Sequence, residues 1–101
     1  MGLDQYLYLR KPDMKDPFSN GTQIAYWRKH WDLQEVIGTE NCESLSLDIE
    51  TCEYIIRELP YIYEDLEEED KQYHIKYAED AFTEAIWHIE QGEEVTYDAD
   101  W

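Results

Sequence analysis

Alternation between apolar and polar positions marks both ends of the chain. Residues 5–10 alternate and include two tyrosines before Pro12 interrupts them, which predicts a first strand. Residues 95–101 alternate more weakly and predict a C-terminal strand that pairs with the first, and a short alternating piece at 43–47 predicts another. Residues 12–21 hold two prolines and an Asn-Gly pair without periodicity, so we expect a mobile loop there.

Helical spacing predicts a first helix that begins at residue 22 and ends at Gly38. Thr22 is a plausible N-cap, and glycine is the usual residue just past a helix C-terminus. Four side chains follow the cap at helical spacing: Tyr26, His30, Leu33 and Ile37.

Two more helices are predicted in the second half of the chain. Asp48 is a suitable N-cap for the second helix, and Pro60 is expected to end it. The apolar stripe of this helix is Ile49, Cys52, Ile55, Ile56 and Leu59. The third helix spans residues 70–91, and Gly92 ends it. Its apolar face is Ile75, Ala78, Phe82, Ala85, Ile86 and Ile89.

These elements predict a small α+β fold. Residues 1–101 are expected to form a single acidic domain, in which about three helices pack on a short antiparallel sheet of about three strands. Aromatic residues make up 15% of the chain, which argues against the disorder that is common in acidic sequences.

Charge is concentrated in one part of the chain. Residues 1–35 hold five acids and five bases, whereas residues 36–101 hold 20 acids and three bases, which accounts for the net charge of −17. Such a surface repels nucleic acid and anionic membranes and attracts basic proteins. We therefore expect a basic protein partner and no direct contact with nucleic acid or membrane.

Two acidic features are candidate binding surfaces. The first is the 61–70 segment, an expected acidic loop or helix start, and the second is the outer face of the third helix. On that outer face, aromatic and acidic side chains lie within about 80° of one another, opposite the apolar stripe. Either another element covers this face or it is a contact surface. The candidate partner-binding residues are Glu64, Asp65, Glu67, Glu68, Glu69, Asp70, Tyr73, Tyr77, Asp80, Glu84 and Trp87.

Motifs for metal, phosphate or catalytic chemistry were not found in the sequence. The three histidines lack the spacing of a helical zinc site, and the four glycines are too far apart for a phosphate-binding loop. A calcium loop starting at Asp65 would need Gly and Glu where the chain has Asp70 and Lys76. We expect no cofactor, no metal site and no enzyme activity, with His30 packed in its helix and His74 and His88 on the surface.

The two cysteines do not form a disulfide framework. Cys52 has the spacing of a buried core residue, and the alternative is a Cys42–Cys52 disulfide. The chain shows no signal peptide and no apolar run near 18 residues, so a cytosolic location with free thiols is expected.

Three segments resemble a group of small proteins common in bacteriophages and prophages. They are the opening Met1-Gly2-Leu3-Asp4-Gln5-Tyr6-Leu7-Tyr8, the Ala25-Tyr26-Trp27-Arg28-Lys29 segment with an aliphatic residue at Leu33, and the terminal Tyr97-x-x-x-Trp101. These relatives often carry histidine where this chain has Gln34. The resemblance implies a phage origin and action in the cytoplasm of the infected bacterial host, and it implies no particular activity.

Three functions follow from these observations. The first is a phage-encoded acidic inhibitor that binds a basic groove of a host nucleic-acid-binding defence complex, such as a restriction enzyme or CRISPR effector, in the manner of a DNA mimic. The second is a phage accessory or assembly protein that docks through its aromatic surfaces. The third is a small-molecule binding or sequestering protein, either an enzyme or a nucleotide-binding protein that sequesters a small signalling molecule, for which Arg28 and Lys29 are the best candidate bases.

Overall fold

A computed structural model describes residues 2–10, 22–38 and 44–101. The described strands are β1 (Asp4–Arg10), β2 (Thr22–Arg28), β3 (Ser44–Ser46) and β4 (Glu94–Asp100), and the helices are α1 (Trp31–Ile37), α2 (Ile49–Ile62) and α3 (Glu68–Glu90). The strands form an antiparallel sheet in the order β2-β1-β4-β3. The α+β class is confirmed, with one strand more than predicted. The predicted loop at 12–21, Cys42 and its possible disulfide lie outside the described residues.

Strand β1 lies at the centre of the sheet because both of its neighbours pair with it along its length. Leu7 faces Ala25 of β2 on one side and Tyr97 of β4 on the other. The predicted pairing between the C-terminal strand and the first strand is confirmed. Along β1 every second side chain, including Leu7 and Leu9, is buried beneath the helices, as period-two alternation requires.

The predicted helix from Thr22 to Gly38 is wrong over its first half. Residues 22–28 form β2, in which Ala25 and Trp27 are buried while Tyr26 and Arg28 are exposed. Short segments rich in Thr, Ile, Tyr and Trp favour strands. The apolar spacing of residues 22–28 fits both a helix and a strand, and hydrogen bonding to β1 selects the strand. The helix is confined to α1, and Gly38 ends it as predicted, with a φ of 84°.

Helix α2 begins as predicted but ends later. The carboxylate of Asp48 accepts a hydrogen bond from the backbone N–H of Thr51 at 2.7 Å, which confirms the N-cap. Pro60 lies inside the last turn, and the helix continues to Ile62. Burial of Leu59, Ile62 and Tyr63 against the core holds this turn in place although the proline lacks an N–H donor. Cys52 is a buried free thiol, as predicted, and burial raises its pKa to about 12.

Helix α3 packs its small and apolar side chains inward. Its buried residues are Ala78, Ala81, Phe82 and Ala85, and Phe82 stacks on Trp27 of β2 with ring centroids 5.6 Å apart. Glu68, Glu69 and Asp70 form its first turn, where the helix dipole favours acidic side chains. Of the two structures predicted for the 61–70 segment, the helix start is therefore correct for its last three residues. Among the described residues, no helix has the length and apolar character that crossing a membrane requires.

Candidate functional site

The outer face of α3 is open along its length. Tyr73 is 66% exposed and Trp87 is 57% exposed, and the two lie about 21 Å apart along the helix axis. Tyr77, at 38%, is partly engaged: its ring meets the edge of Trp27, and its hydroxyl accepts a hydrogen bond from the backbone N–H of Tyr26. No described element covers the rest of this face.

The acids on and beside this face keep most of their charge uncompensated. Lys76 lies 3.6 Å from Asp80 as an exposed neighbour one turn away, and the largely buried ring of His88 lies 3.8 Å from the exposed carboxylate of Glu84. Exposed pairs of this kind neutralise little. The run Glu64, Asp65, Glu67, Glu68, Glu69 and Asp70 is exposed and forms no ion pair with any described residue. The face therefore combines rigid aromatic side chains with an extended negative field.

A second site, of which the sequence singled out only Arg28 and Lys29, lies where the β2–α1 turn meets the α2–α3 connection. It is a cleft of about 480 Å³, within the range of small-molecule sites. The cleft is lined by Arg28, Lys29, His30, Trp31, Asp32, Leu33, Ile62, Tyr63, Asp65, Leu66 and His74. A shallower cleft of about 310 Å³ shares Arg28, His30 and His74 with it and extends to Tyr73 and Tyr77. The basic side chains considered for a small-molecule site thus line an actual cavity.

A buried glutamine fixes the backbone of His30 beside this cleft. The side-chain amide of Gln5 donates to the backbone carbonyl of His30 at 3.1 Å and to the hydroxyl of Tyr97 at 2.9 Å. Its carbonyl oxygen accepts from the backbone N–H of His30 at 3.0 Å. The hydroxyl of Tyr97 in turn donates to the side chain of Gln34, which is also buried. Gln34 therefore takes part in a buried hydrogen-bond network with Gln5 and Tyr97.

The turn before His30 has an unusual backbone. Lys29 has a φ of 62°, the left-handed region that residues other than glycine rarely adopt. Its N–H donates to the carbonyl of Leu3 at 2.7 Å, and the Gln5 contacts fix the next residue. Residues held in this region cost about 1 kcal/mol or more and cluster at functional sites. The fold thus maintains a strained turn beside the cleft.

Two imidazoles and a phenol meet at the centre of the cleft. His30 Nδ1 lies 2.8 Å from the hydroxyl of Tyr63, and the ring of His74 lies edge-on to His30 and stacked on Tyr63. Predictions for all three histidines need correction: His30 precedes α1 instead of packing inside a helix, and His74 and His88 are half-buried. Tertiary packing against other elements covers these rings, and the sequence pattern does not reveal that.

Acid should destabilise the protein through His30. Burial lowers the pKa of this imidazole, and the nearby His74 adds to the effect. As the pH falls below about 6.5, the unfolded chain takes up the proton before the folded state does, so the free energy of unfolding should fall. We expect urea titrations between about pH 7.5 and about pH 5 to show a smaller loss for His30→Gln than for the wild type. Parallel profiles for the two proteins would contradict this assignment.

The cleft offers two cations, two carboxylates, hydrogen-bonding rings and apolar walls. Burial raises the pKa of Tyr63, so its phenol stays protonated at neutral pH. Within the described ranges, no group of three or more His, Cys, Asp or Glu side chains is arranged to hold a metal ion.

The chain matches no protein-family model, no curated protein sequence and no solved structure.

Proposed function

We propose that the protein is a phage-encoded acidic inhibitor that acts in the cytoplasm of the infected bacterial host. The outer face of α3 and the 64–70 acidic run would occupy a basic groove of a nucleic-acid-binding defence complex, of the restriction or CRISPR type. The observation that carries the proposal is the exposure of Tyr73 and Trp87 among uncompensated carboxylates. Large aromatics on an open helix face are typical of partner-binding residues.

Charge and aromatic contacts would have separate roles. Carboxylates such as Glu67 and Asp80 would steer the encounter with a basic surface, because long-range attraction mainly raises the association rate. Trp87 and Tyr73 would then be buried against the partner and slow dissociation. Helix α3 contains 23 residues and is therefore about 34 Å long. Duplex DNA presents one negative charge per roughly 1.7 Å of its axis, so the carboxylates along α3 would spread negative charge over a length comparable with a short DNA segment.

The first test is a pull-down from bacterial lysate with tagged protein, washed at low and high salt. Under the proposal, a DNA- or RNA-handling complex is retained at low salt and released at high salt, and the purified complex loses nucleic-acid binding at one equivalent of inhibitor. A partner that resists high salt and has no nucleic-acid function would instead favour the accessory protein that docks through aromatic surfaces.

Two sets of variants then test the assigned surface by binding kinetics. Replacing Glu67, Glu68, Glu69 and Asp70 by their amides should slow association about tenfold at low salt. Trp87→Ala should mainly accelerate dissociation. The matched control replaces Glu35, Glu50, Glu53 and Glu94 by glutamine. These four side chains are exposed elsewhere on the molecule, and their replacement removes the same amount of negative charge. Equal slowing by both sets would show that net charge acts without this surface.

A further inference from the structure

Arg28 and Lys29 both line the larger cleft, and their side chains lie close together. Both side chains pass over Gly2, where an added methyl group would lie 3.8 Å from Nη2 of Arg28 and 3.8 Å from Cε of Lys29. The chain has 25 acids, yet neither cation forms an ion pair with a described carboxylate. Within the part of the chain that the structure describes, these two adjacent cations repel each other without a carboxylate between them, so an anionic group would be attracted to both.

The rest of the cleft suits a planar ring. The imidazole of His74 and the indole of Trp31 line it, and Leu66 and Ile62 add apolar walls. Trp27 lines the adjoining cleft, and its ring packs against those of Tyr77 and Phe82.

We propose that this cleft binds a small ligand in which a sugar links a planar heteroaromatic ring to a phosphate, the chemistry of a nucleoside monophosphate. Arg28 and Lys29 hold the phosphate, since a guanidinium and an ammonium group together match its charge and its acceptor oxygens. The ring lies among the aromatic side chains around His74. Asp65, which also lines the cleft, is an acceptor for a sugar hydroxyl or an exocyclic amine.

Features of the fold indicate that the site is built for a ligand. The strained turn at Lys29 and the buried contacts of Gln5 hold the backbone of residues 29 and 30 rigidly, so a ligand would meet preorganised groups. Because burial keeps His30 neutral at pH 7, the positive charge available to a phosphate comes from Arg28 and Lys29. The inference goes beyond inhibition through α3, and neither proposal depends on the other.

Calorimetric titration of the full chain with AMP, GMP, CMP and UMP tests the site, with adenosine and inorganic phosphate as partial ligands. We expect at least one monophosphate to bind about tenfold or more tightly than either partial ligand, because both halves of the cleft contribute. Arg28→Gln and Lys29→Gln should each weaken this binding about tenfold. Arg57→Gln is the matched control, because Arg57 is exposed on α2 and lines neither cleft.

A second readout locates the ligand. In NMR titrations with the tightest monophosphate, the indole N–H signals of Trp27 and Trp31 should shift, whereas that of Trp87 on α3 should not. Far-UV circular dichroism of each variant separates loss of the site from loss of the fold. The proposal is overturned if no monophosphate binds, if adenosine or phosphate alone binds as tightly, or if Arg57→Gln weakens binding as much as Arg28→Gln does.

Discussion

Replacing Gln5 by leucine should lower the free energy of unfolding by about 3–5 kcal/mol. Gln5 is fully buried and makes three hydrogen bonds, two to the backbone of His30 and one to the hydroxyl of Tyr97. Leucine fills a similar volume but leaves the N–H and the carbonyl of His30 without their hydrogen bonds to Gln5, whereas the hydroxyl of Tyr97 keeps its hydrogen bond to Gln34. Each buried group left unpaired costs about 1–3 kcal/mol. Domains of this size are stable by only about 5–15 kcal/mol, so the loss would be a large fraction of the total.

Denaturant titration monitored by tryptophan fluorescence measures this effect. Gln23→Leu is the matched control, because Gln23 lies exposed on β2 and should change stability by less than about 0.5 kcal/mol. A double-mutant cycle with Tyr97→Phe should give a coupling energy of about 0.5–3 kcal/mol, since the two side chains share a hydrogen bond. A cost below about 1 kcal/mol for Gln5→Leu would mean that the network does not hold the turn.

Phe82→Ala should cost about 3–5 kcal/mol, the usual range for removing a buried aromatic ring. Phe82 is fully buried on the inner face of α3, and its stacking on Trp27 joins the helix to the edge strand β2. The lost contacts cannot be recovered without moving α3, because cores are close-packed.

Trp87→Ala on the opposite face of the same helix provides the contrast. Trp87 is exposed and should change the free energy of unfolding by only about 0.5 kcal/mol. Thermal and denaturant unfolding of Phe82→Ala and Trp87→Ala, measured under the same conditions, tests both predicted changes in the free energy of unfolding. A large stability cost for Trp87→Ala would mean that the outer-face aromatic serves the fold, which would remove the basis for assigning it to a partner.

Much of the helical structure could be predicted from local patterns. Asp48 and Gly38 act at the ends of their helices as expected, because capping depends on a few adjacent residues. The inner face of α3 follows from its apolar spacing. Residues 22–28 were misassigned because their apolar spacing fits both periods, and only pairing with β1 selects the strand.

The candidate sites divide in the same way. The acidic and aromatic face of α3 could be recognised in advance because all its members lie on one helix, whose geometry sets their relative positions. The cleft could not, because its residues come from distant segments: His30 meets Tyr63 across 33 positions, and Gln5 meets Tyr97 across 92. A signal was present in the adjacent bases Arg28 and Lys29, but their shared cavity depends on the packed fold.

The sequence by itself therefore determined the properties that depend on composition and on near neighbours: the α+β class, the helix caps, the strong negative charge and the aromatic face of α3. The tertiary structure decided which segment becomes β2, that Pro60 stays within α2, and that His30 and His74 face one cleft. The physical reason is the separation along the chain of the residues that interact. Caps and periodicity involve residues a few positions apart, whereas strand pairing and cavities form only when distant segments bury their surfaces together.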